Sequence, residues 1–301
     1  MKKLKIIRCI MLGLLSVAVL IGVALYPREA VAEVQKRVVR IWNIDTFEGG
    51  KGSRTAFLKN VARQVSKRDQ NVYYLITSMT CEGAEEAFGS GQTPDIVSYG
   101  VGFDLAPEYA LPLPYEFAGG RTDAGCLAVP WCRGEYALYS LSEDFSAAGS
   151  TVISCGGSNL PQVSAALAEI EGEEMDSLTA YVGFLNGDFR YLLGTQRDAC
   201  RFESRGAQVY KKDLPAYCDL YQYISVLSSE KRTDCFAFLE TLLSAEIQGT
   251  LHQIGMYSVG ELDRAERTVS AFSSRSALDE LKELARRKED KENILKFLQN
   301  V

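Results

Sequence analysis

The stretch "VVRIWNIDTFEGGKGSRTAFL", residues 38–58, sets the reading of the whole chain. Val38–Ile44 is β-branched and apolar, as a buried strand is. It runs into an acid, Asp45, and then a glycine-rich turn, Gly49-Gly50-Lys51-Gly52-Ser53-Arg54. Beyond the turn Phe57, Leu58, Val61, Ala62 and Val65 recur at helical spacing, which predicts a helix over Thr55–Lys67. The turn itself has three readings. A phosphate loop needs four residues between its first glycine and a Gly-Lys-Ser/Thr ending. Here Lys51 is followed by glycine, so the ingredients stand in the wrong order. The second reading is a flexible strand-to-helix turn. The third is a polar binding rim, where amides at a helix start and Asp45 meet a neutral polar ligand.

The alternation continues downstream. Val72–Thr77 reads as a strand, Gly83–Phe88 as a short acidic helix, and Asp95–Tyr99 as a third strand after the turn Gly91-Gln92-Thr93-Pro94. This βαβαβ rhythm predicts an α/β fold with a parallel sheet flanked by helices. Ligands of such sheets sit beyond the carboxyl ends of the strands. Asp45–Gly50, Thr77–Thr80 and Tyr99–Phe103 are therefore expected on one rim. After a Pro/Gly loop, Asp104–Gly120, the segments Leu127–Pro130 and Tyr136–Ser140 read as extended, with Trp131-Cys132-Arg133-Gly134 between them. Helices are expected near Leu160–Ile170 and Ser177–Leu185, and a short strand over Arg190–Leu193 ending in Gly194-Thr195-Gln196-Arg197. Thr233–Gln253 reads as one long helix, and Ala277–Val301 as two amphipathic ones.

The N-terminus reads as an export segment. Lys2, Lys3, Lys5 and Arg8 precede an apolar run from Cys9 to Tyr26, and Ala30-Val31-Ala32 is a small-residue cleavage pattern. Cleavage is expected. An uncleaved membrane anchor is the alternative, because the run is long enough to span a bilayer. Either way the body of the chain belongs outside the cytoplasm, extracellular or at the cell surface. The whole chain carries −6. Residues 1–32 hold five basic residues and one acid, which leaves −10 on the rest. So acidic a body disfavours nucleic acid. Composition is that of a globular protein, 47% apolar and 24% charged.

Enzyme signatures are weak. Ser154-Cys155-Gly156-Gly157-Ser158 lacks the spacing of a nucleophile elbow. The one histidine, His252, lies in a predicted helix. Seven cysteines follow the export segment, an odd number that cannot all pair internally, and none is spaced for zinc. No catalytic residue, metal or cofactor is expected. The aromatics carry more information: tyrosines at 99, 136, 139, 191 and 257 fall near strand ends. Aromatic faces suit sugar rings, and the alternative for each is the core.

Several stretches resemble one family, the family 1 extracellular solute-binding proteins of bacterial ABC transporters. Residues 38–58 look like its first strand and helix. "EEAFGSGQTPDIVSYG" resembles its helix, Gly-x-x-Pro-Asp turn and third strand. "LAVPWCRGEYALYSLSEDFSAAG" resembles its crossover segment, "FLNGDFRYLLGTQRD" the second lobe's cleft strand, and "FAFLETLLSAEIQGTLHQIGMYSV" a late helix. The resemblance implies a two-lobed periplasmic-binding-protein-like fold of type II. Each lobe is then a mostly parallel sheet flanked by helices, the second lobe reduced. Lobe 1 is expected over 33–135, with 231–262 returning to it. Lobe 2 is expected over 136–230, with 263–301 as its C-terminal helices. The implied function is capture of a small polar solute, a carbohydrate first, for delivery to ABC transporter permease subunits.

On that resemblance Asp45, Thr46 and Glu48 are expected as acceptors on the first rim, with Arg54 bracing the loop or donating to solute. Trp131 is expected as a stacking platform. Arg133 and Tyr136 are expected to contact solute or set the hinge, and Gln196 and Arg197 to donate from the second lobe. The chain departs from the family in its short stretch between Thr151 and Phe189, and in having no cysteine after the export run to take a lipid. These departures motivate an alternative, a membrane-tethered interaction or sensor protein of the same fold. An α/β hydrolase is a further one.

Overall fold

The structure is a computed structural model. It describes residues 36–215, 217–260, 267–287 and 291–300, with residues 11, 13–19 and 21 near the N-terminus. Those N-terminal residues are helical and exposed. No helix among the described residues is long and apolar enough to cross a membrane. Most of the expected export segment, including Ala30-Val31-Ala32, lies outside the described residues. Residues 36–301 form a compact unit of their own.

The first five elements follow the apolar periodicity closely: β1 (Arg37–Ile44), α1 (Arg54–Arg68), β2 (Val72–Met79), α2 (Cys81–Gly89) and β3 (Ile96–Tyr99). Ser53 starts α1 by accepting from the Ala56 amide at 3.2 Å, and Thr80 starts α2 by accepting from Gly83 at 3.1 Å. Each hydroxyl satisfies a helix-end N–H that has no partner within the helix. A two-residue hairpin, β4 (Arg121–Thr122) and β5 (Gly125–Cys126), leads into β6 (Val129–Arg133). The chain then crosses into β7 (Tyr136–Ser140). It continues through β8 (Thr151–Cys155), α3 (Pro161–Leu167), β9 (Glu173–Asp176), α4 (Ser177–Asn186), β10 (Tyr191–Thr195), α5 (Gln196–Arg205) and β11 (Tyr210–Asp213). It then returns through β12 (Tyr221–Val226).

Two five-stranded sheets result, in the orders β2-β1-β3-β12-β6 and β11-β7-β10-β8-β9. In the first, β2, β1 and β3 are parallel and β12 runs against β3 and β6. In the second, β9, β8 and β10 are parallel and β7 runs against β10 and β11. The sheets are therefore built alike: three parallel strands, one reversed, one edge. This is the two-lobed, mostly parallel α/β fold the resemblance implies. The reversed strand of each sheet is the one that arrives from the other lobe.

Two expectations are corrected. Tyr221–Val226, expected in lobe 2, pairs with Tyr99–Ile96 and Arg133–Val129 in the first sheet. All six of its residues are buried. The long helix over Thr233–Gln253 is three pieces: α6 (Arg232–Leu242), α7 (Ala245–Gln248) and a 3-10 turn at Leu251–Ile254. Ser244 breaks it by capping a new start on the Ile247 amide. The C-terminal helices are α8 (Arg275–Arg286) and α9 (Lys291–Asn300).

One apolar core runs through both sheets, from Val39 and Ile41 to Leu138, Ile153 and Leu193. A second cluster fills the far face of lobe 2, where Tyr139, Val152 and Leu192 meet Tyr181, Phe184 and Phe202. Within the first core lies a polar ladder. Trp131 Nε1 donates to Ser98 Oγ at 3.0 Å, and Ser98 Oγ donates to Asn43 Oδ1 at 2.9 Å. Asn43 Nδ2 then donates to Asp45 Oδ1 at 2.9 Å. Gln222 Nε2 joins from β12, donating to the Ile44 carbonyl at 3.1 Å. Buried polar atoms need such partners, and this ladder ties β1, β3, β12 and β6 together just beneath the rim.

Candidate functional site

Four segments follow the carboxyl ends of parallel strands: Asp45–Ser53 after β1, Gly100–Phe103 after β3, Gly156–Leu160 after β8, and α5 after β10. This is where an open α/β sheet presents its ligand-binding groups. Here the segments of the two lobes meet face to face. Gln196 Nε2 donates to the Glu48 carbonyl at 2.9 Å, and Arg197 Nη1 donates to the Gly50 carbonyl. Arg201 lies 3.4 Å from Glu48 Oε1. The Ser158 amide donates to the Thr46 carbonyl at 2.8 Å. Lys51 and Glu203 add an exposed pair at 3.5 Å.

The glycine-rich turn is a packing joint. A Cβ at Gly50 would lie 2.1 Å from the Gly255 carbonyl oxygen, so backbone meets backbone there. Gly157, at φ +67, leaves the same kind of room against the Thr46 carbonyl, 2.4 Å from its own would-be Cβ. The Lys51 and Gly52 amides both donate to the Ile254 carbonyl, at 3.0 and 3.2 Å. Those amides are thus committed within the protein, which removes the phosphate reading of the turn.

On the first rim Asp45 pairs with Arg54 Nε at 2.9 Å. Arg54 is only 2% exposed. It donates to the Phe47 carbonyl and lies 4.2 Å over the Phe47 ring. Arg54 Nη1 and Thr46 Oγ1 are buried without a hydrogen-bond partner. On the second rim Thr195 caps α5 and shares a capping box with Asp198, whose Oδ2 accepts from the Thr195 amide at 3.0 Å. Burial pushes the Asp198 carboxyl up, against the opposing pull of that amide and of Arg201. Arg201 sits 3.0 Å from Asp198 Oδ1 and stacks over Tyr181. Gln196 is fully engaged, since its Oε1 also accepts from the Glu135 amide at 3.2 Å.

The remaining candidates lie behind the seam. Trp131 is completely buried and stacks on Phe57 at 5.6 Å. It is a core residue that ends the polar ladder, which corrects the expectation of an exposed stacking platform. Tyr99, Tyr139 and Tyr191 are buried as well. Arg133 donates to the Ser258 carbonyl at 3.3 Å and lies 5.7 Å from the Tyr257 ring centroid. Tyr136 stacks on Tyr217 at 6.3 Å, with its hydroxyl beside Asp219. Asp219 is fully buried where the chain crosses between lobes, and its Oδ2 accepts from the Leu160 amide at 2.6 Å. Burial pushes its pKa up to about 6.

Thr46, Glu48, Gln196 and Arg197 take part in contacts across the seam, Asp45 stays within lobe 1 on Arg54 and Asn43, and sequence reasoning missed Arg201, Ser158 and the ladder. Arg201 was legible as the residue one helical turn after Arg197, on the same face. A cavity of about 10 Å³ lies at the seam, bordered by Glu48, Ser154, Asn159, Ser177 and Thr195 among others. A larger cavity of about 550 Å³ lies elsewhere, between α3, β9 and the C-terminal helices. Among the described residues no cluster of three metal-ligating side chains occurs, and the seven cysteines there are free thiols.

No protein family's sequence profile matches the chain, and no curated protein sequence matches it. Solved structures do. The sugar-binding protein MalE of Xanthomonas citri superposes with a TM-score of 0.61 at 14% identity, over 88% of this chain and 96% of that one. The maltose-maltodextrin binding protein of Alicyclobacillus acidocaldarius gives 0.57 at 12%, over 88% and 99%. RafE of Streptococcus pneumoniae gives 0.54 at 11%, over 88% and 97%. At such identities the likeness is one of fold, and the fold of residues 36–301 is that of the two-lobed binding proteins.

Proposed function

We propose that this chain is an extracytoplasmic solute-binding protein. It takes a small polar solute, a carbohydrate first, between its two lobes and hands it to the permease subunits of an ABC importer. The observation that carries this reading is the meeting of four strand-end segments from two like-built sheets at one seam. Asp45, Thr46 and Glu48 stand on one side of that seam, and Gln196, Arg197 and Arg201 on the other. Nearly the full length of sugar-binding proteins superposes on the same frame. Capture then needs the lobes to part and close again, and solute drives closure by binding the closed form better than the open one. No bond is made or broken.

A second reading is a membrane-tethered interaction or sensor protein of the same fold. It is favoured by the directness of the seam contacts, beside which lies a cavity of about 10 Å³, roughly one water's worth. Isothermal titration of the purified protein against a panel of sugars, polyols and peptides separates the two. Saturable heat with any member supports capture. Silence across the panel removes the transport reading and leaves the interaction reading.

A further inference from the structure

We propose that the solute is an acidic sugar, and that the Glu48 carboxylate holds Arg201 as an internal stand-in for the solute's own carboxylate. This rests on the solute-binding reading above. The ten residues of α5 present their N-terminal, positive end to the seam. Arg197 and Arg201, four apart, put two guanidiniums on one face of it. Each is met across the seam by a lobe 1 oxygen, Arg197 by the Gly50 carbonyl and Arg201 by Glu48 Oε1. At the base of the facing loop Arg54 is buried and paired with Asp45, and its Nη1 still lacks a hydrogen-bond partner.

The acids around the seam differ in how firmly they are held. Asp198 is fixed by the Thr195 amide and by Arg201 at 3.0 Å each. Asp45 is fixed by Arg54 and Asn43 at 2.9 Å each. Glu48 is different: its side chain is 39% exposed, and it reaches Arg201 through one oxygen at 3.4 Å. A well-formed guanidinium–carboxylate pair lies at about 2.7–2.9 Å and is often bidentate. Of the two carboxylates on Arg201, Glu48 is thus the weaker partner and the one an incoming carboxylate can displace, while Asp198 stays in place. Once it leaves, Ser154, Asn159, Ser177 and Thr195 around the small cavity offer hydroxyls and an amide to the hydroxyls of a sugar ring. The −10 of the body does not oppose this at contact range, because physiological salt screens charges beyond about 8 Å.

The role of Glu48 is then the reverse of the expected one. As a solute acceptor its loss weakens binding, whereas as an internal competitor its loss strengthens it. Calorimetric titration of the purified protein with D-glucuronate, D-galacturonate, D-glucose and D-galactose reads this directly. The uronates are expected to bind at least about tenfold tighter than their neutral counterparts, the scale of one charge-assisted hydrogen bond. Glu48→Gln is expected to tighten uronate binding by about tenfold, and Arg201→Gln to weaken it by at least as much. Arg201→Lys, which keeps the charge, serves if Arg201→Gln melts early by circular dichroism, and is expected to fall between. Neutral sugars binding as well as uronates overturns the acidic-solute proposal and leaves the solute-binding reading standing. Uronate binding weakened by Glu48→Gln overturns the stand-in role. Silence with all four sugars overturns the proposal, and the wider panel then decides the solute-binding reading separately.

Discussion

Gln196 of the second lobe donates its side-chain amide to the backbone carbonyl of Glu48 in the first, at 2.9 Å. The same side chain accepts from the Glu135 amide where the lobes cross. One glutamine, 1% exposed, therefore ties the rim to the hinge. Gln196→Ala leaves two backbone groups short of a partner. A loss of about 2–3 kcal/mol of stability is expected in urea unfolding, since each stranded buried group costs roughly 1–3 kcal/mol.

The glycine-rich turn gives a paired prediction. Gly50→Ala pushes a methyl into the Gly255 carbonyl, and backbone cannot step aside as a side chain can. It is expected to cost about 2 kcal/mol or more, as overpacking does. Gly89→Ala, at the end of α2 with nothing within 4 Å, is expected to be neutral or to stabilise by roughly 0.5–1 kcal/mol. Thermal melts of the two variants check both signs.

Trp131→Phe separates a core role from a sugar platform. The substitution keeps much of the stacking on Phe57 but removes the indole donor to Ser98. Stability is expected to fall by about 1–2 kcal/mol, the worth of a buried hydrogen bond with some lost volume. Solute affinity is expected to stay within about threefold, well under the tenfold step of 1.4 kcal/mol. Affinity collapsing with stability unchanged would place Trp131 against the solute instead.

Asp219 predicts a pH dependence with a definite sign. Its folded pKa of about 6 lies above the 3.8 of an ordinary aspartate, so the folded state binds the proton more tightly. The stability this contributes is complete below about pH 4 and is lost as pH rises through 6. The loss is roughly 3 kcal/mol, since each tenfold difference in proton affinity is worth about 1.4 kcal/mol. Asp219→Asn is expected to remove that slope. The check is the difference between the two proteins' unfolding free energies from pH 4 to 7. A difference flat across that range contradicts the buried, proton-binding carboxyl.

Much of lobe 1 was legible because its strands and helices obey simple periods: Val38–Ile44 is apolar almost throughout and Phe57–Val65 repeats every three or four residues. Lobe 2 was harder for a physical reason. Its edge strands β9, Glu-Glu-Met-Asp, and β11, Tyr-Lys-Lys-Asp, are mostly exposed and carry no apolar alternation. Strand β12 was expected in the wrong lobe because strand pairing between residues far apart in the chain leaves no local trace. Gln196 and Arg197 reach the Glu48 and Gly50 carbonyls across the seam. That they do so follows from the meeting of two lobes, and no spacing within one segment encodes it.

Native-state hydrogen exchange tests the central idea, that two folded lobes part along this seam, without need of a solute. The Ser158 amide is protected by a bond that crosses the seam to Thr46. The amides of the strand pairs Ile41–Ile76 and Leu192–Tyr139 lie within single lobes. If the lobes open while each stays folded, Ser158 exchanges through that smaller opening, at least tenfold faster than the strand amides relative to its intrinsic rate, a gap of about 1.4 kcal/mol. Equal protection at Ser158 and in the strands, with all three exchanging only by global unfolding, would mean that the seam never opens and would contradict the account.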